Sequence, residues 1–286
     1  MRDRKIDGLL LVDKPAGLTS HAVVDRARVA VGTRRIGHAG TLDPFATGLL
    51  ILLVNRTTRL LPFLDADPKV YHARIHFGAR TSTDDLEGDV IEEAPPPEPA
   101  VVERGIATLT GHLLQRPPSY SAKQVAGVRA YAAARRGTPL ALEPVGVHVH
   151  GWRVLRREGP DLEAEITCSG GTYVRALARD LGEITGSAAH LAGLRRIRSG
   201  RFGIENAVAL DALERGEFEL LSPVAAVGQL PRQSLDDLDA KRVVHGQTIG
   251  AQTDGEVAAL CHRQQLLAVA VRDGETWRPK VVMRDA

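Results

Sequence analysis

The sequence contains little cysteine, and this limits the sites it can build. Only two cysteines, Cys168 and Cys261, occur among the 286 residues, and two are too few for a disulfide framework. Neither has a second cysteine or a histidine at the spacing of a zinc site, and the adjacent Cys261 and His262 do not have it either. We therefore expect no metal in this protein.

Long apolar runs are also missing. No run approaches the ~18 residues that a membrane-spanning helix needs. Near the first residue the apolar patch covers only residues 9–12, which is shorter than the apolar part of a secretory signal peptide. These two features predict a cytoplasmic protein with no membrane partner.

Several common motifs of enzyme chemistry are absent. The chain has no G-x-G-x-x-G, no Walker loop and no H-E-x-x-H. It also has no G-x-S-x-G nucleophile elbow. These absences argue against dinucleotide-dependent enzymes, phosphate-loop NTPases, zinc proteases and serine esterases, and we expect no cofactor.

The patterns that are present predict an α+β fold. Residues 69–77 and 161–168 alternate between apolar and polar side chains, which is typical of half-buried strands. Residues 20–31 have a helical apolar stripe, with Ser20 as the expected N-cap and Gly32 as the stop. Further helices are predicted at residues 100–111, near Arg129, at 170–186 and at 236–245, and further strands at 8–14 and 49–54 and in the C-terminal tail. Because alternating strands favour antiparallel or mixed pairing, we expect a mixed, largely antiparallel sheet flanked by helices.

A change of composition predicts a domain boundary. Residues from about 207 to 235 are acidic and then contain Pro223, Gly228 and Pro231. We place the boundary there, with a large domain at 1–228 and a small β-barrel-like module at 229–286. There is no internal repeat of fixed period.

Asp43 is the most unusual acid in the sequence. It lies in GHAGTLDPFATGLL, directly before Pro44 and a uniformly apolar run. An Asp-Pro pair is a good helix start, so a helix cap is the ordinary alternative. However, Gly37, Gly40 and Gly48 leave room for a large planar group to approach the backbone. No second carboxylate lies nearby, as a glycosidase would need.

Aromatic residues are few, at 4% of the chain, and the four tyrosines fall in stretches that other features also single out. They are Tyr71, Tyr120, Tyr131 and Tyr173. Tyr173 stands beside Arg175 at a predicted helix start. A tyrosine for stacking and an arginine near an isolated aspartate could form a pocket for a flipped base, although each tyrosine could equally be a core or rim residue.

The net charge of +2 says little, but its distribution is uneven. Residues 1–40 contain eight Lys or Arg against four Asp, and a second basic cluster consists of Arg195, Arg196, Arg198 and Arg201. Such clusters can follow a phosphate backbone. A solvated charged face is the alternative.

Five segments, in order, resemble the TruB family, the bacterial tRNA pseudouridine-55 synthases. They are GLLLVDKPAGLTSHAVV, RIGHAGTLDPFATGLL, KVYHARIHFGARTSTDDLEGD, RPPSYSAKQVAGVRAYAAARRG, and CSGGTYVRALARDLG with AHLAGLRRIRSGRF. The resemblance covers most of residues 8–203. In SAKQVAG, Lys123 stands one residue before the family's usual lysine position. The tail resembles the family's small PUA-like RNA-binding module in position and size.

The resemblance implies that the chain converts a uridine at position 55, in the T-loop of tRNA, to pseudouridine, without a cofactor or a metal. It implies that Asp43 is the catalytic aspartate. It also implies that Tyr71 stacks on the uracil, that Arg175 pairs with Asp43 and keeps it ionised, and that Tyr173 and Leu194 line the pocket.

Three further residues receive supporting roles from the same resemblance. His38 occupies space opened by displaced nucleotides, Lys14 supports the active-site loop or contacts the RNA backbone, and Asp85 is a polar residue near the active site. A plain surface lysine is the alternative for Lys14.

The implied partner is the T-arm of tRNA, and we expect a monomer. One rival interpretation is a non-catalytic RNA-binding or tRNA-folding protein on the same scaffold. Another is a synthase that acts on a different RNA or a different uridine.

Overall fold

The computed structural model describes residues 6–120, 124–125, 128–129, 138, 140 and 142–283. These residues fall in two compact units. Unit 1 is drawn from Met1–Asp43, Leu49–Ala66 and Ile204–Ala286, and unit 2 from Pro44–Gly48 and Asp67–Gly203. No helix among the described residues is both long enough and apolar enough to cross a membrane.

The elements of the first part of the chain, in order, are β1 (Gly8–Lys14), α1 (Ser20–Val31), β2 (Ile36–Ala39), β3 (Thr47–Val54), a 3-10 helix (Asn55–Phe63), β4 (Lys69–Phe77), β5 (Ala79–Thr81), β6 (Val90–Glu93), α2 (Pro99–Thr108), β7 (Gly111–Gln115), β8 (Gln124–Val125) and β9 (Val128–Arg129). The later elements are β10 (Val145–Glu158), β11 (Asp161–Cys168), α3 (Val174–Ile184), β12 (Ala189–Ser199), β13 (Phe202–Gly203), a 3-10 helix (Ile204–Asn206), β14 (Val208–Ala209), α4 (Leu210–Glu214), a 3-10 helix (Pro223–Val227), β15 (Arg232–Ser234), α5 (Asp237–Val244), β16 (Ile249–Gly250), β17 (Val257–His262), β18 (Gln265–Asp273) and β19 (Thr276–Val282).

In unit 1, β1 lies between β14 and β3 in one sheet. The pairing of β1 with β14 is parallel, and β2 is antiparallel to β3. Helix α1 packs its apolar stripe on this sheet, and the shared core includes Val24, Leu52 and Leu213. Helix α1 ends at Gly32, whose φ of 77° is the left-handed conformation that glycine adopts most easily.

The C-terminal part of unit 1 forms a second sheet. Strands β15, β17, β18, β19 and β16 make five strands in that order, and all their pairings are antiparallel except that of β15 with β17. Trp277 is fully buried there and donates its indole N–H to Gln233 Oε1 at 2.8 Å. The predicted small β-rich module therefore has a core of its own.

Unit 2 is built on a mostly antiparallel sheet. Strand β4 lies between β12 and β11, and β10 and then β7 follow β11. The pairing of β12 with Thr47 and Gly48 is parallel, whereas β12 runs antiparallel to β4. On β4 and β11 the alternating apolar residues are buried, as expected: Tyr71, Ala73, Ile75, Phe77, Leu162, Ala164, Ile166 and Cys168.

The predicted fold class, a mixed and largely antiparallel sheet with helices and a small C-terminal β module, is confirmed. Three local predictions are wrong or incomplete. The N-cap of α1 is Thr19 instead of Ser20. Strands β10 and β12 were not predicted. Arg129 belongs to strand β9, and most of the alanine-rich helix predicted near it lies outside the described residues.

The boundary predicted between residues 228 and 229 stays a prediction. Three hydrogen bonds join residues beyond it to the 3-10 helix Asn55–Phe63: Arg56 Nη1 donates to Met283 O at 3.0 Å, Arg59 Nη1 donates to Val282 O at 2.9 Å, and Gln229 Nε2 donates to Phe63 O at 2.7 Å. The module is therefore tied to the first part of unit 1.

Gly48 lies directly against the backbone of Arg196 on β12. Its φ is +103°, and an added Cβ would lie 2.3 Å from Arg196 O. Because the conformation and the lack of space both exclude a side chain, Gly48→Ala should lower the free energy of unfolding by about 3 kcal/mol. Chemical denaturation monitored by circular dichroism measures this loss.

Two glycines serve as controls for that substitution. Gly17 has a φ of +81° but no atom within 4 Å of an added Cβ, so Gly17→Ala should cost only ~1 kcal/mol. Gly146 has neither restriction, and Gly146→Ala should be close to neutral. If Gly48→Ala lowered the free energy of unfolding no more than Gly17→Ala, the short distance to Arg196 O would not be the cause of the loss of stability.

Candidate active site

Asp43 lies on an irregular segment. Residues 41–46 form neither helix nor strand, and Asp43 is half-buried between buried Leu42 and half-buried Pro44. The alternative that Asp43 caps a helix is therefore wrong, since no helix begins after it. The chain passes from unit 1 to unit 2 at this residue.

The residue before Asp43 is fixed by one hydroxyl group. Ser20 Oγ donates to Leu42 O at 3.1 Å and accepts from Leu42 N at 2.9 Å. Ser20 is 2% exposed and Leu42 is 3% exposed. Because this segment has no backbone ladder of its own, the buried N–H and C=O of Leu42 depend on Ser20 for their hydrogen bonds.

Lys14 supports the turn that leads to Ser20. Its side chain is fully buried, and Nζ donates to Pro15 O at 2.9 Å and to Leu18 O at 2.6 Å. A plain surface lysine is therefore wrong, and the geometry fits support of a loop. His38 is half-buried on β2, opposite Leu52 of β3.

In unit 2, Tyr71 and Leu194 lie on the same face of the sheet. Tyr71 is 7% exposed. Leu194 is half-buried and pairs with Ala73, which is two residues from Tyr71 along β4. Residues directly opposite or two apart on paired strands project from one face. The structure therefore brings these two predicted pocket residues together.

The start of α3 is held by a side-chain amide. Tyr173 occupies the N-cap position, as predicted for a residue at the helix start. Its N–H donates to Gln115 Oε1 at 2.8 Å, and Gln115 Nε2 donates to Tyr173 O at 3.1 Å. Gln115 is 1% exposed. This pair of hydrogen bonds fixes the backbone two residues before Arg175.

Arg175 is buried and forms an ion pair with Asp85. Nη1 lies 3.2 Å from Asp85 Oδ2, and each side chain is 5% exposed. Nη1 also donates to Thr83 O at 3.0 Å, and Nη2 donates to Tyr120 O at 2.8 Å. A guanidinium stays protonated in proteins, so its burial requires such partners.

Asp85 is itself held in place. Its Oδ1 accepts from Thr83 Oγ1 at 2.6 Å and from the N–H of Glu87 at 3.0 Å. Asp85 is thus more than a polar residue near the site, because it connects Arg175 to the turn between β5 and β6. The contact between Arg175 and Asp43 that the resemblance implies joins residues of different units and stays a prediction.

Arg179 was not predicted as a site residue, although it lies one helical turn after Arg175. Nη1 contacts Asp84 Oδ2 at 3.0 Å, and Nη2 contacts Asp180 Oδ1 at 2.7 Å. Burial raises the pKa of Asp84 and of Asp180, while the Arg179 guanidinium opposes both shifts. Two arginines four residues apart in a helix, and two adjacent aspartates in STDDLEG, were the sequence signal for this arrangement.

The basic cluster on β12 is divided by a strand irregularity. The register with β4 shifts between Arg196 and Arg198. Arg196 is 1% exposed, whereas Arg198 and Arg201 are exposed. The expectation that Arg196 contacts phosphate is therefore wrong, whereas the half-buried Arg195 and the exposed Arg198 and Arg201 remain candidates for it.

Within the described residues, two alternative kinds of reactive centre would be a cysteine nucleophile and a metal site. Burial raises the pKa of Cys168 to about 11, so its thiol stays protonated near neutral pH and is a poor nucleophile. Across residues 6–120 and 142–283 and the few described between them, no group of three His, Cys, Asp or Glu residues could hold a metal ion. Lys123 and Tyr131 lie outside the described residues.

The amino-acid sequence matches two family models. Residues 28–174 match the TruB family pseudouridylate synthase N-terminal domain, and residues 175–224 match the tRNA pseudouridylate synthase B C-terminal domain. The chain belongs to the TruB family. Relatives in that family include the tRNA pseudouridine synthase B of Thermobifida fusca, which is 44% identical over 96% of this chain and 98% of its own.

Other members of the TruB family are similarly close. The tRNA pseudouridine synthase B of Leifsonia xyli is 45% identical over 85% of this chain and 83% of its own. Among solved structures, a Cbf5–Nop10–Gar1 complex contains a chain with a TM-score of 0.71 at 24% identity, covering 97% of this chain and 85% of that one. At that identity the likeness shows the fold.

The Ser20 hydroxyl gives a testable prediction about the segment that carries Asp43. Ser20→Ala leaves two buried polar groups of Leu42 unpaired and should lower the free energy of unfolding by about 1–3 kcal/mol. The Leu42 amide should then exchange its hydrogen with solvent at least about tenfold faster, because its acceptor is gone. Hydrogen exchange followed by NMR measures that rate.

Thr19→Ala is the matched control on the same helix. Thr19 Oγ1 accepts from the N–H of Ala22 at 3.0 Å as the N-cap of α1, and its loss should cost ~1 kcal/mol. The Leu42 amide should stay protected in this variant. Equal acceleration in both variants would show that general destabilisation, and not the Ser20 contact, controls the segment.

Proposed function

We propose that this protein converts a uridine of tRNA, at position 55 in the T-loop, to pseudouridine, with Asp43 as the catalytic carboxylate. The observation that carries the proposal is the pairing of TruB family membership with an Asp43 that caps no helix. Relatives that are 40–45% identical are named tRNA pseudouridine synthase B. Two observations support this role: Asp43 is half-buried and caps no helix, and Ser20 holds the residue before it.

The reaction needs only positioned protein groups. The N1–C1′ glycosidic bond of the uridine breaks, the uracil turns, and a C5–C1′ bond forms. The proton on C5 leaves to solvent and N1 takes up a proton, so that atoms and electrons balance. No oxidant, phosphate donor or hydrolysis takes part, which is why we expect neither a cofactor nor a metal.

The proposed roles of the other site residues follow those that the family resemblance implies. Tyr71 would stack on the flipped uracil and stand near C5, and Leu194, on the same sheet face, would line the pocket with Tyr173. Arg175 would favour the ionised form of Asp43. The support for Arg175 in this role is its fixed position, since Asp85 and Thr83 O hold its Nη1 and Tyr120 O holds its Nη2.

The proposed substrate element is the T-arm, bound by a monomer in the cytoplasm. The target base of a compact loop must leave its stack before side chains can reach it. His38 would occupy the vacated space, and Lys14 would support the loop from within. The exposed Arg198 and Arg201 would contact phosphates, and the module at residues 229–286 would add RNA contacts.

A release assay tests the activity directly. RNA carrying tritium at C5 of its uridines should lose one tritium for each uridine converted, because the C5 hydrogen leaves when C5 joins the ribose. The mass of an unlabelled product should stay unchanged. The rival interpretation, an RNA-binding protein without catalysis, predicts RNA binding with no tritium release.

Asp43→Asn is the sharpest single substitution for this proposal. It keeps the volume of the side chain and removes the negative charge, so the fold should survive. The rate at saturating enzyme should fall by about 10⁴-fold or more, as for other essential groups. Tritium release in a single turnover measures the rate, and circular dichroism checks the fold.

Asp211→Asn is a control at an exposed acid, which pairs with Arg215 on the surface of unit 1. Its rate should match that of the unmodified protein. An Asp43→Asn variant that kept most of the rate would remove Asp43 from the chemistry.

The exposed arginines at the end of β12 give an electrostatic prediction. Arg198→Gln and Arg201→Gln should each remove one phosphate interaction, and each should flatten the slope of log K against log salt concentration by about 0.7–0.9. Filter binding of tRNA at several salt concentrations measures the slope. Arg215→Gln, at a surface arginine already paired with Asp211 and Glu217, should leave it unchanged. Equal slopes for all variants would contradict the proposed interactions.

A further inference from the structure

Helix α3 presents a second buried arginine that the proposed chemistry does not use. Arg175 and Arg179 are four residues apart and so lie on the same face of the helix, one turn from each other. Arg179 is 8% exposed and its partner Asp84 is 9% exposed. Burying a guanidinium is costly unless every donor finds an acceptor, so its retention at this position calls for a reason.

The two arginines hold the same two segments in the same manner. Nη1 of each contacts a carboxylate of the β5–β6 turn, Asp85 for Arg175 and Asp84 for Arg179. Nη2 of each donates to a carbonyl of the segment after β7, at 2.8 Å to Tyr120 O and at 2.9 Å to Arg116 O. Each arginine therefore joins helix α3 to the β5–β6 turn and to the segment after β7.

The backbone of the β5–β6 turn is constrained at Asp84. Asp84 has a φ of 60°, the left-handed region that is uncommon for aspartate. Its backbone O accepts from the N–H of Leu191 at 3.0 Å, and its N–H donates to Thr81 O at 3.2 Å. Since Asp84 and Asp85 are adjacent, the backbone of this turn connects the carboxylate that Arg179 contacts to the carboxylate that Arg175 contacts.

We propose that Arg179 is a positioning residue for the reaction, and that it orients the Arg175 guanidinium through the Asp84–Asp85 turn. The inference rests on the proposed role of Arg175 beside Asp43. Arg179 makes no proposed contact with the uridine. Arg179 holds the β5–β6 turn and the segment at residues 116–120 in fixed positions relative to helix α3. In those positions the Arg175 guanidinium contacts all three of its acceptors together.

Other charged groups face the same carboxylate or guanidinium. Arg80 Nε lies 3.7 Å from Asp84 Oδ1, and Arg80 is 30% exposed. Asp180 Oδ1 accepts from Nε and Nη2 of Arg179 at 2.9 and 2.7 Å. The Arg179–Asp84 ion pair therefore belongs to a larger network of charges. A double-substitution cycle is needed to isolate the effect of Arg179 on Arg175.

The kinetic test uses Arg179→Met, which keeps an unbranched apolar stem and removes the guanidinium with its charge and its hydrogen-bond donors. The single-turnover rate at saturating enzyme should fall about tenfold to a hundredfold, as expected when a catalytic group loses its orientation. The dissociation constant for tRNA should change less than about twofold, since phosphate contacts are untouched. In an Arg175→Met background, adding Arg179→Met should cause no further loss of rate. A further loss there equal to that in the unmodified background would overturn the proposal.

Leu181→Ala controls for loss of stability. Leu181 is fully buried on the same helix. Its apolar side chain takes no part in the ion pairs of Arg175 and Arg179 with Asp85 and Asp84. Assayed well below its melting temperature, this variant should keep the unmodified rate although it unfolds at a lower temperature. If Leu181→Ala and Arg179→Met lost rate in proportion to their loss of melting temperature, Arg179 would be merely structural.

A measurement without activity separates this proposal from the proposed function. The side-chain N–H signals of Arg175 in ¹⁵N-arginine NMR spectra should be sharp and protected in the unmodified protein. They should move and lose protection in Arg179→Met but not in Leu181→Ala. If the protein converts no uridine in tRNA, the proposed function fails, and these signals still decide whether Arg179 orients Arg175. Unchanged Arg175 signals in Arg179→Met would overturn the positioning role.

Discussion

A buried guanidinium needs hydrogen-bond acceptors, and in unit 2 the β5–β6 turn and the segment after β7 supply them. Helix α3 carries two such groups on one face, and each takes a carboxylate from the β5–β6 turn and a carbonyl from the segment after β7. Removing one partner of a buried ion pair commonly costs ~3–5 kcal/mol. The helix, the turn and the segment are therefore fixed relative to one another by charge as well as by apolar packing.

The segment that carries Asp43 meets a related requirement by different means. Residues 41–46 have no helix or strand to satisfy their backbone. Ser20 bonds both polar groups of Leu42, and Lys14 holds the preceding turn. Ser20 of α1 thus supplies the hydrogen bonds that a backbone ladder would give Leu42, and Lys14 of β1 holds the turn before Ser20. Asp43 follows a residue that is fixed in this way, and it does not serve as a helix cap.

Regular apolar patterns made the framework of the fold predictable. Strands β4 and β11 and helices α1 and α3 follow periods of two and 3.6 residues, and the structure has them at those places. Strand β12 escaped prediction because glycine and three arginines interrupt its apolar residues, and because a register shift at Ile197 changes which side chains face inward.

The candidate site was predictable only where a family motif or a lone charged residue marked it. Asp43, Tyr71, Tyr173 and Arg175 were predicted in that way. Ser20 was misassigned because serine before an apolar stripe is typical of a cap, and its contact with Leu42 spans 22 residues of sequence. Arg179 was passed over because charge in a helix usually indicates a solvated face, and only tertiary contact with Asp84 reveals its burial.

The activity proposed for this protein is the conversion of one uridine in the T-loop of tRNA to pseudouridine. The most direct measurement is carbodiimide mapping of total RNA from bacteria that lack their own TruB-family gene and express this chain, with an empty vector for comparison. Pseudouridine retains the carbodiimide adduct and stops reverse transcriptase, whereas uridine does not. If the protein converts that uridine, a new stop appears at position 55 of tRNAs. No stop at that position, or stops only at other uridines, would contradict it.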